Sequence, residues 1–174
     1  SDLFGWQAVF WATGGAAGAA VIIVFALLRE KRPTPPETTT SLLDFRPILR
    51  DRAVMGYVLG YAVHAWELLG LRAWIVGFLG FSASVSGEST VVSPTIAAAF
   101  GAVLAIFASI AGGELASRYG RRRVIALIML MSAVAGCSVG FAGTLPYGWV
   151  IVLTMLYIVL VQGESAALTT GTVQ

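Results

Sequence analysis

Charge, cysteine and histidine are all scarce in this sequence, and each shortage excludes a class of protein. Charged residues make up 11% of the chain, whereas a soluble domain usually carries about 25%. The net charge of +2 is too small to indicate nucleic-acid binding. One cysteine cannot form a disulfide framework, and one histidine among scattered carboxylates has no metal-ligand spacing. We therefore expect no nucleic-acid partner, no metal ion and no cofactor.

Long apolar runs take the place of charge. Apolar residues account for 57% of the 174 residues, and the mean hydropathy is +0.84. A soluble domain of roughly 150 residues buries only about 70% of its unfolded surface, so a water-soluble fold could not hide this much apolar surface. The hydrocarbon interior of a membrane can accommodate this apolar surface, and the lipid bilayer is therefore the first expected partner.

Five stretches are long and apolar enough to cross a bilayer, which requires about 20 residues each. Charged residues separate them, except in the run 124–163, where Gly143-Thr144-Leu145-Pro146 interrupts the helix. The sequence therefore predicts an all-α polytopic membrane helix bundle with transmembrane helices near 5–28, 53–81, 92–113, 124–142 and 147–170. We also expect a fragment that packs against missing helices of the same protein, because the chain starts at Ser1 rather than Met.

Basic residues are concentrated in alternate loops. Segments 29–52 and 114–123 carry clusters of Lys and Arg, whereas segments 82–93 and 143–147 have none. Positively charged loops stay on the cytoplasmic side of a membrane. The expected topology therefore places the N-terminus outside and the C-terminus inside. The first basic segment is also rich in proline and threonine, which is typical of an extended linker.

The strongest local motif joins the third predicted helix to the fourth. It reads Gly113-Glu114-Leu115-Ala116-Ser117-Arg118-Tyr119-Gly120-Arg121-Arg122-Arg123. It resembles the signature loop of the major facilitator superfamily, Gly-x-Leu-Ala-Asp-Arg-x-Gly-Arg-Arg, and departs from it at Ser117, where the family prefers Asp. Gly113 would allow close helix contact and Gly120 a tight turn. The three matching arginines, Arg118, Arg121 and Arg122, would anchor the loop at the anionic leaflet.

The resemblance implies a twelve-helix transporter made of two six-helix halves. Because the motif lies two helices after a long basic linker, the five helices resemble the sixth to tenth of twelve. The implied domains are then the last helix of the N-terminal half at 1–28, the linker between the halves at 29–52 and the first four helices of the C-terminal half at 53–174. Such a protein would move a small solute by alternating access in a bacterial inner membrane, with protons as a candidate coupling ion.

Polar side chains inside the predicted spans are the candidate solute or coupling residues, because ionisable groups in hydrocarbon are costly and usually functional. These candidates are Tyr57, Tyr61, His64, Glu67 and Arg72 in the second helix, and Tyr157 and Glu164 in the fifth. We predict that His64 and Glu67 share one helix face and line a central cavity, and that at least one carries a proton or contacts the solute. Histidine changes charge near neutral pH. The alternative is a static link between helices.

Two residues of this set have competing interpretations. Arg72 could pair with Glu67 only if the helix bends, which Gly70 would allow. Glu164 lies towards the cytoplasmic end of its helix, where snorkelling to the interface competes with a functional role.

Two other functions remain open. A membrane-embedded metal-dependent enzyme could use His64, Glu67 and Glu164, although a catalytic metal site usually has three well-spaced protein ligands. The sequence contains no Gly-rich phosphate loop, nucleophile elbow or His-Glu-x-x-His motif. A non-transporting receptor of the same fold is the second alternative. We expect no enzyme.

Overall fold

The chain is helical throughout the residues that the computed structural model describes, which are 6–27, 44–87 and 92–171. It divides into two compact units, Ser1–Leu43 and Asp44–Gln174. Helix α1 belongs to the first unit, and the other five helices belong to the second. The helices are α1 Trp6–Leu27, α2 Arg46–Arg50, α3 Arg52–Ser86, α4 Pro94–Tyr119, α5 Arg121–Phe141 and α6 Tyr147–Gly171. The prediction of an all-α fold is confirmed.

Four of these helices are long and apolar enough to cross a membrane. They are α3, α4, α6 and α5 with the 3-10 turn Ala142–Thr144 that follows it. The first predicted span lies in α1, whose apolar stretch Gly14–Leu27 is shorter. Large apolar side chains such as Trp66, Phe107 and Phe141 are exposed on the surface of the second unit. That surface suits lipid, and the multi-pass membrane architecture is confirmed.

Helix starts carry clear capping signals. The side chain of Asp51 accepts hydrogen bonds from the backbone N–H groups of Ala53 at 2.8 Å and Val54 at 3.2 Å, which fixes the start of α3. At the start of α4, the Ser93 hydroxyl accepts from the Ile96 N–H at 3.3 Å, and Pro94 occupies the first turn. These caps place both helix starts within two residues of their predicted positions.

Helix ends were predicted less well, because charges end an apolar run without ending a helix. Segment 114–123 was expected to be a loop, yet α4 continues to Tyr119 and α5 begins at Arg121. Gly120 alone joins them, with a backbone φ of +91°. The ion pair between Arg118 Nε and Glu114 Oε1, at 2.6 Å and one helical turn apart, supports the last turn of α4. The tight turn predicted for Gly120 is confirmed.

The predicted linker 29–52 lies partly outside the described residues. Its last part forms the short helix α2, with Pro47 in the first turn, and only Asp51 separates α2 from α3. Proline is compatible with the first turn of a helix. The proline- and threonine-rich part, 31–40, lies outside the described residues.

Helix α6 is the centre of the second unit and packs on α4, α5 and α3, most closely on α4. Arg52 at the start of α3 and Arg122 at the start of α5 line the same cavity, which defines the basic end of the bundle. At the opposite end, Leu79, Ala97 and Tyr147 form one buried cluster. This arrangement agrees with the predicted topology, in which the two basic segments lie on one side of the membrane.

The closest helix contact is a backbone crossing between α4 and α6. A Cβ atom added at Gly112 would overlap the carbonyl group of Gly163. A Cβ atom added at Gly163 would lie 3.8 Å from the Ala108 carbonyl oxygen, an ordinary contact. Helices in membranes commonly approach each other at small residues, because lipid tails give apolar side chains no reason to associate. At Gly112 only a residue without a side chain fits.

Candidate functional site

A buried pair of ionisable side chains connects α3 to α6. Nδ1 of His64 lies 2.7 Å from Oε1 of Glu164. The two side chains are 2% and 0% exposed, so the pair is sealed from the surface of the bundle. Helix α3 leaves the basic end and α6 returns to it, and the two residues therefore meet at the same depth. The short distance is that of a charge-assisted hydrogen bond.

Glu67 and Tyr157 extend this polar site on the side of α5. Tyr157 on α6 interacts electrostatically with the carboxylates of Glu67 and Glu164. The end of its ring lies over Gly136 of α5, where an added Cβ atom would be 3.1 Å from the ring carbon that bears the hydroxyl. The missing side chain at Gly136 therefore leaves space for the phenol between three helices.

The other oxygen of Glu164 has no partner among the described residues. Oε2 is buried and accepts no hydrogen bond there. A buried carboxylate charge is costly unless it is compensated. One proton held by the pair makes its net charge zero, whether the proton lies on the imidazole or on the carboxylate, and loss of that proton leaves a charge of −1. The pair can therefore bind and release one proton with a change in net charge.

Five of the seven predicted site residues come together here. They are Tyr61, whose ring centre lies 6.1 Å from that of His64, together with His64, Glu67, Tyr157 and Glu164. His64 hydrogen-bonds to Glu164 of α6, whereas Glu67 interacts with Tyr157. That His64 and Glu67 line a central cavity stays a prediction. Glu164 does not snorkel, because its side chain points across to α3 and is fully buried.

Tyr57 and Arg72 lie away from the pair. Tyr57 lines a cavity of about 830 Å³ at the basic end, between α3, α5 and α6. Arg72 lines a second cavity, of about 470 Å³, between α3, α4 and α6. Helix α3 is continuous through Gly70, and Arg72 forms no ion pair with Glu67. The pairing that a bend at Gly70 would have allowed is therefore not found.

The signature motif has a structural arrangement of its own. The Ser117 hydroxyl donates to the Gly113 carbonyl oxygen at 3.0 Å, so this departure from the family pattern is accommodated within α4. Leu115 is exposed, Arg118 pairs with Glu114, and Arg122 lines the cavity at the basic end. Arg121 begins α5.

Gly113 lies at a close helix contact, as expected, and an even closer one lies one residue earlier. A Cβ atom at Gly113 would be 3.2 Å from Cβ of Ala166, a tight contact with a small side chain, whereas Gly112 meets backbone. Gln162 and Ser109 also line a cavity. Gln162 is recognisable in the sequence as an amide within an apolar run, whereas sequence reasoning missed Ser109.

No three His, Cys, Asp or Glu side chains within 6–27, 44–87 and 92–171 are grouped so that they could hold a metal ion. Comparison with curated proteins and with solved structures gives no match. Residues 1–174 match a family model described as Major Facilitator Superfamily. The match spans the signature motif, the buried pair and both cavities.

Proposed function

Because the chain belongs to the Major Facilitator Superfamily, a family of membrane transporters, we propose that it moves a small solute by alternating access and that the His64–Glu164 pair carries the coupling proton. The buried pair is the observation that carries this proposal. Its two residues are on different helices, they share a short hydrogen bond, and one acceptor oxygen stays unpartnered among the described residues.

The physical reason is the change of net charge with one proton. A net charge of −1 between apolar helices is costly, so the closed arrangement seen here favours the protonated pair. When α3 and α6 separate and water reaches the pair, the charged carboxylate is solvated and the proton can leave. Histidine is suited to this exchange because it titrates between pH 5 and 8. The opening of the pair to water on one side of the membrane is thereby linked to the binding or release of its proton.

Other titratable groups face the pair and share its charge balance. Glu67 comes from the same helix as His64, and Tyr157 comes from α6. Cys137 of α5 interacts with Tyr157. Tyr61 lies beside the imidazole. Any change of pH dependence must therefore be compared with the same change made at Glu67, which is the nearest competing carboxylate.

The position within the whole transporter is part of the proposal. The order of a basic linker, two helices and the signature motif supports the assignment of α1 and α3 to α6 as the sixth to tenth helices of twelve. Residues 1–28 then end the N-terminal half, residues 29–52 link the halves, and residues 53–174 begin the C-terminal half. The basic end faces the cytoplasm of a bacterial cell.

The test uses the full-length protein in proteoliposomes, with a transported solute found by screening labelled compounds. An imposed proton gradient should accelerate net uptake by the wild-type protein. His64→Gln and Glu164→Gln should abolish this acceleration but preserve exchange of solute across the membrane without a gradient. Exchange needs alternating access and no net proton movement, so the two properties are measured separately.

Glu67→Gln is the matched control, because it removes a half-buried carboxylate beside the pair and leaves the pair intact. It should lower uptake without removing the response to the gradient. If the pair is only a static link, His64→Gln and Glu164→Gln will destabilise the protein while the pH dependence of the remaining uptake stays unchanged. Absence of exchange for every screened solute would favour a receptor over a transporter.

A further inference from the structure

The cavity between α3, α4 and α6 has a composition that selects its ligand. Its volume is about 470 Å³, within the range of sites for small organic molecules. Most of its lining is aliphatic, from residues such as Leu68, Ile75 and Ile106. Apart from three polar side chains, the lining offers few partners for the many hydroxyl groups of a sugar. The aliphatic walls suit a hydrocarbon chain or ring.

Three polar side chains interrupt the apolar lining. They are Arg72 of α3, Ser109 of α4 and Gln162 of α6, one from each helix that forms the cavity. All three can donate hydrogen bonds, and only the guanidinium is charged. Each polar side chain can therefore offer a donor to the same open cavity, and the single charge among them is positive, which suits an acceptor with negative charge.

Arg72 lacks a counter-charge in the part of the chain that the structure describes. It takes part in neither of the two ion pairs found there, and it forms no hydrogen bond. Glu164 is engaged by His64, and Glu67 faces Tyr157 on another side of α3. A permanent charge inside a membrane span is costly until an anion or water compensates it. Arg72 is exposed along this cavity, so its guanidinium is accessible to a ligand.

The geometry points to an organic carboxylate with an apolar body as the ligand of this cavity. The carboxylate lies against Arg72, whose planar guanidinium can donate two parallel hydrogen bonds to it. The amide of Gln162 and the hydroxyl of Ser109 supply further donors, and the aliphatic walls enclose the body. That this ligand is the transported solute rests on the proposed function. Its recognition by Arg72 does not.

Binding of such an anion complements the protonation of the pair. Arg72 lies about 12 Å along α3 from His64, at 1.5 Å per residue. A carboxylate on Arg72 neutralises the cavity, and a proton on His64–Glu164 neutralises the pair. The loaded state thus has no net charge at either position, whereas the empty state has one charge of each sign. Anion and proton are therefore expected to cross together.

The test measures binding to the full-length protein in lipid nanodiscs, with no need for transport. The probe is labelled 4-phenylbutyrate, and the competitors are the unlabelled acid, 4-phenylbutyramide and 4-phenylbutylamine, which have similar bodies and different charge. The acid should compete at least about tenfold better than the amide, because a charge-assisted hydrogen bond is lost with the charge. The amine should compete least.

Variants locate the site. Arg72→Gln should weaken binding of the acid about tenfold or more and remove its advantage over the amide. Arg72→Lys should retain part of that advantage, because the charge stays while the planar fork is lost. Gln162→Leu should weaken binding several-fold with the preference for the acid intact. Arg123→Gln, which removes an exposed arginine outside both cavities, should bind as the wild type does.

Each outcome decides between the two proposals. Equal competition by the acid, the amide and the amine overturns the anion site, and so does unchanged binding in Arg72→Gln. The competition series in the wild-type protein decides the matter even if a variant does not fold. Acid-selective binding without uptake or exchange contradicts the proposed function and leaves the anion site standing. Proton-driven uptake of a cationic or neutral solute, with no acid-selective binding, overturns the anion site and leaves the proposed function standing.

Discussion

Gly112→Ala tests the helix crossing that holds α4 against α6. The added methyl carbon would overlap the carbonyl group of Gly163, and backbone atoms cannot swing aside as a flexible side chain can. The two helices must therefore separate. Overpacking of this kind typically costs about 1–3 kcal/mol. Because the added methyl group meets backbone atoms, which cannot move aside, we expect a cost of about 3 kcal/mol.

Part of that cost is offset by helix propensity. Alanine within a helix is more favourable than glycine by about 1 kcal/mol. The expected net loss is therefore about 2 kcal/mol, which reduces the folding equilibrium constant roughly 30-fold. Unfolding of the full-length protein in mixed micelles with increasing SDS, followed by circular dichroism, measures this loss.

Gly163→Ala is the matched control at the same crossing. Its Cβ atom would make contacts of 3.8 Å with the Ala108 carbonyl oxygen and with Ile128, so the helices need not move. It should be neutral or slightly stabilising. Gly70→Ala, whose Cβ atom meets nothing within 4 Å among the described residues, reports the propensity gain alone. Equal stability of Gly112→Ala and Gly163→Ala would refute the backbone contact.

Three further predictions follow from other parts of the fold. Gly120→Ala should lower the free energy of unfolding by about 1–3 kcal/mol in thermal unfolding, because a residue with a Cβ atom is strained at the φ of +91° and ψ of 119° found there. Gly136→Ala should displace the Tyr157 ring, which would lie 3.1 Å from the added Cβ atom, and should be less stable than Gly140→Ala by about 1–3 kcal/mol, because both changes share the same gain in helix propensity. Gly140→Ala, with nothing within 4 Å in the described structure, should not have this effect in the same assay. In a Cys137→Ser background, cysteines at Asp51 and Tyr119 should react with an impermeant thiol reagent from one side of the membrane, and cysteines at Gly87 and Thr144 from the other. Labelling of Asp51 and Tyr119 from opposite sides would contradict the topology.

The membrane spans could be predicted because the solvent imposes them. A stretch of uncharged apolar residues of the right length has few alternatives in a bilayer, and the break near Pro146 was visible as a glycine and proline cluster. Helix ends were less accessible to prediction. Glu114 ends the apolar run of α4, yet in the structure it stabilises the helix through its ion pair with Arg118.

The sequence could predict which residues belong to the polar site, but not which two of them form a hydrogen bond. His64 and Glu164 are 100 residues apart, and their contact depends on how α3 and α6 rotate against each other. Periodicity within α3 suggested His64 with Glu67, because it reports only neighbours on one helix. A rotation of one residue, about 100°, likewise separates Gly112 from Gly113. Such details depend on packing between helices, which local sequence does not encode.

The single residue between α4 and α5 limits how these helices can move. One residue of extended chain spans at most about 3.6 Å, so neither helix can slide far along the other without unwinding a turn. At the other end of α5, the chain from Ala142 to Pro146 intervenes before α6. The hairpin is thus tethered without slack at the basic end and has slack at the opposite end. The connection therefore lets α4 and α5 change their angle about Gly120 but opposes sliding of one along the other, so relative movement of the two helices is largest on the far side of the membrane.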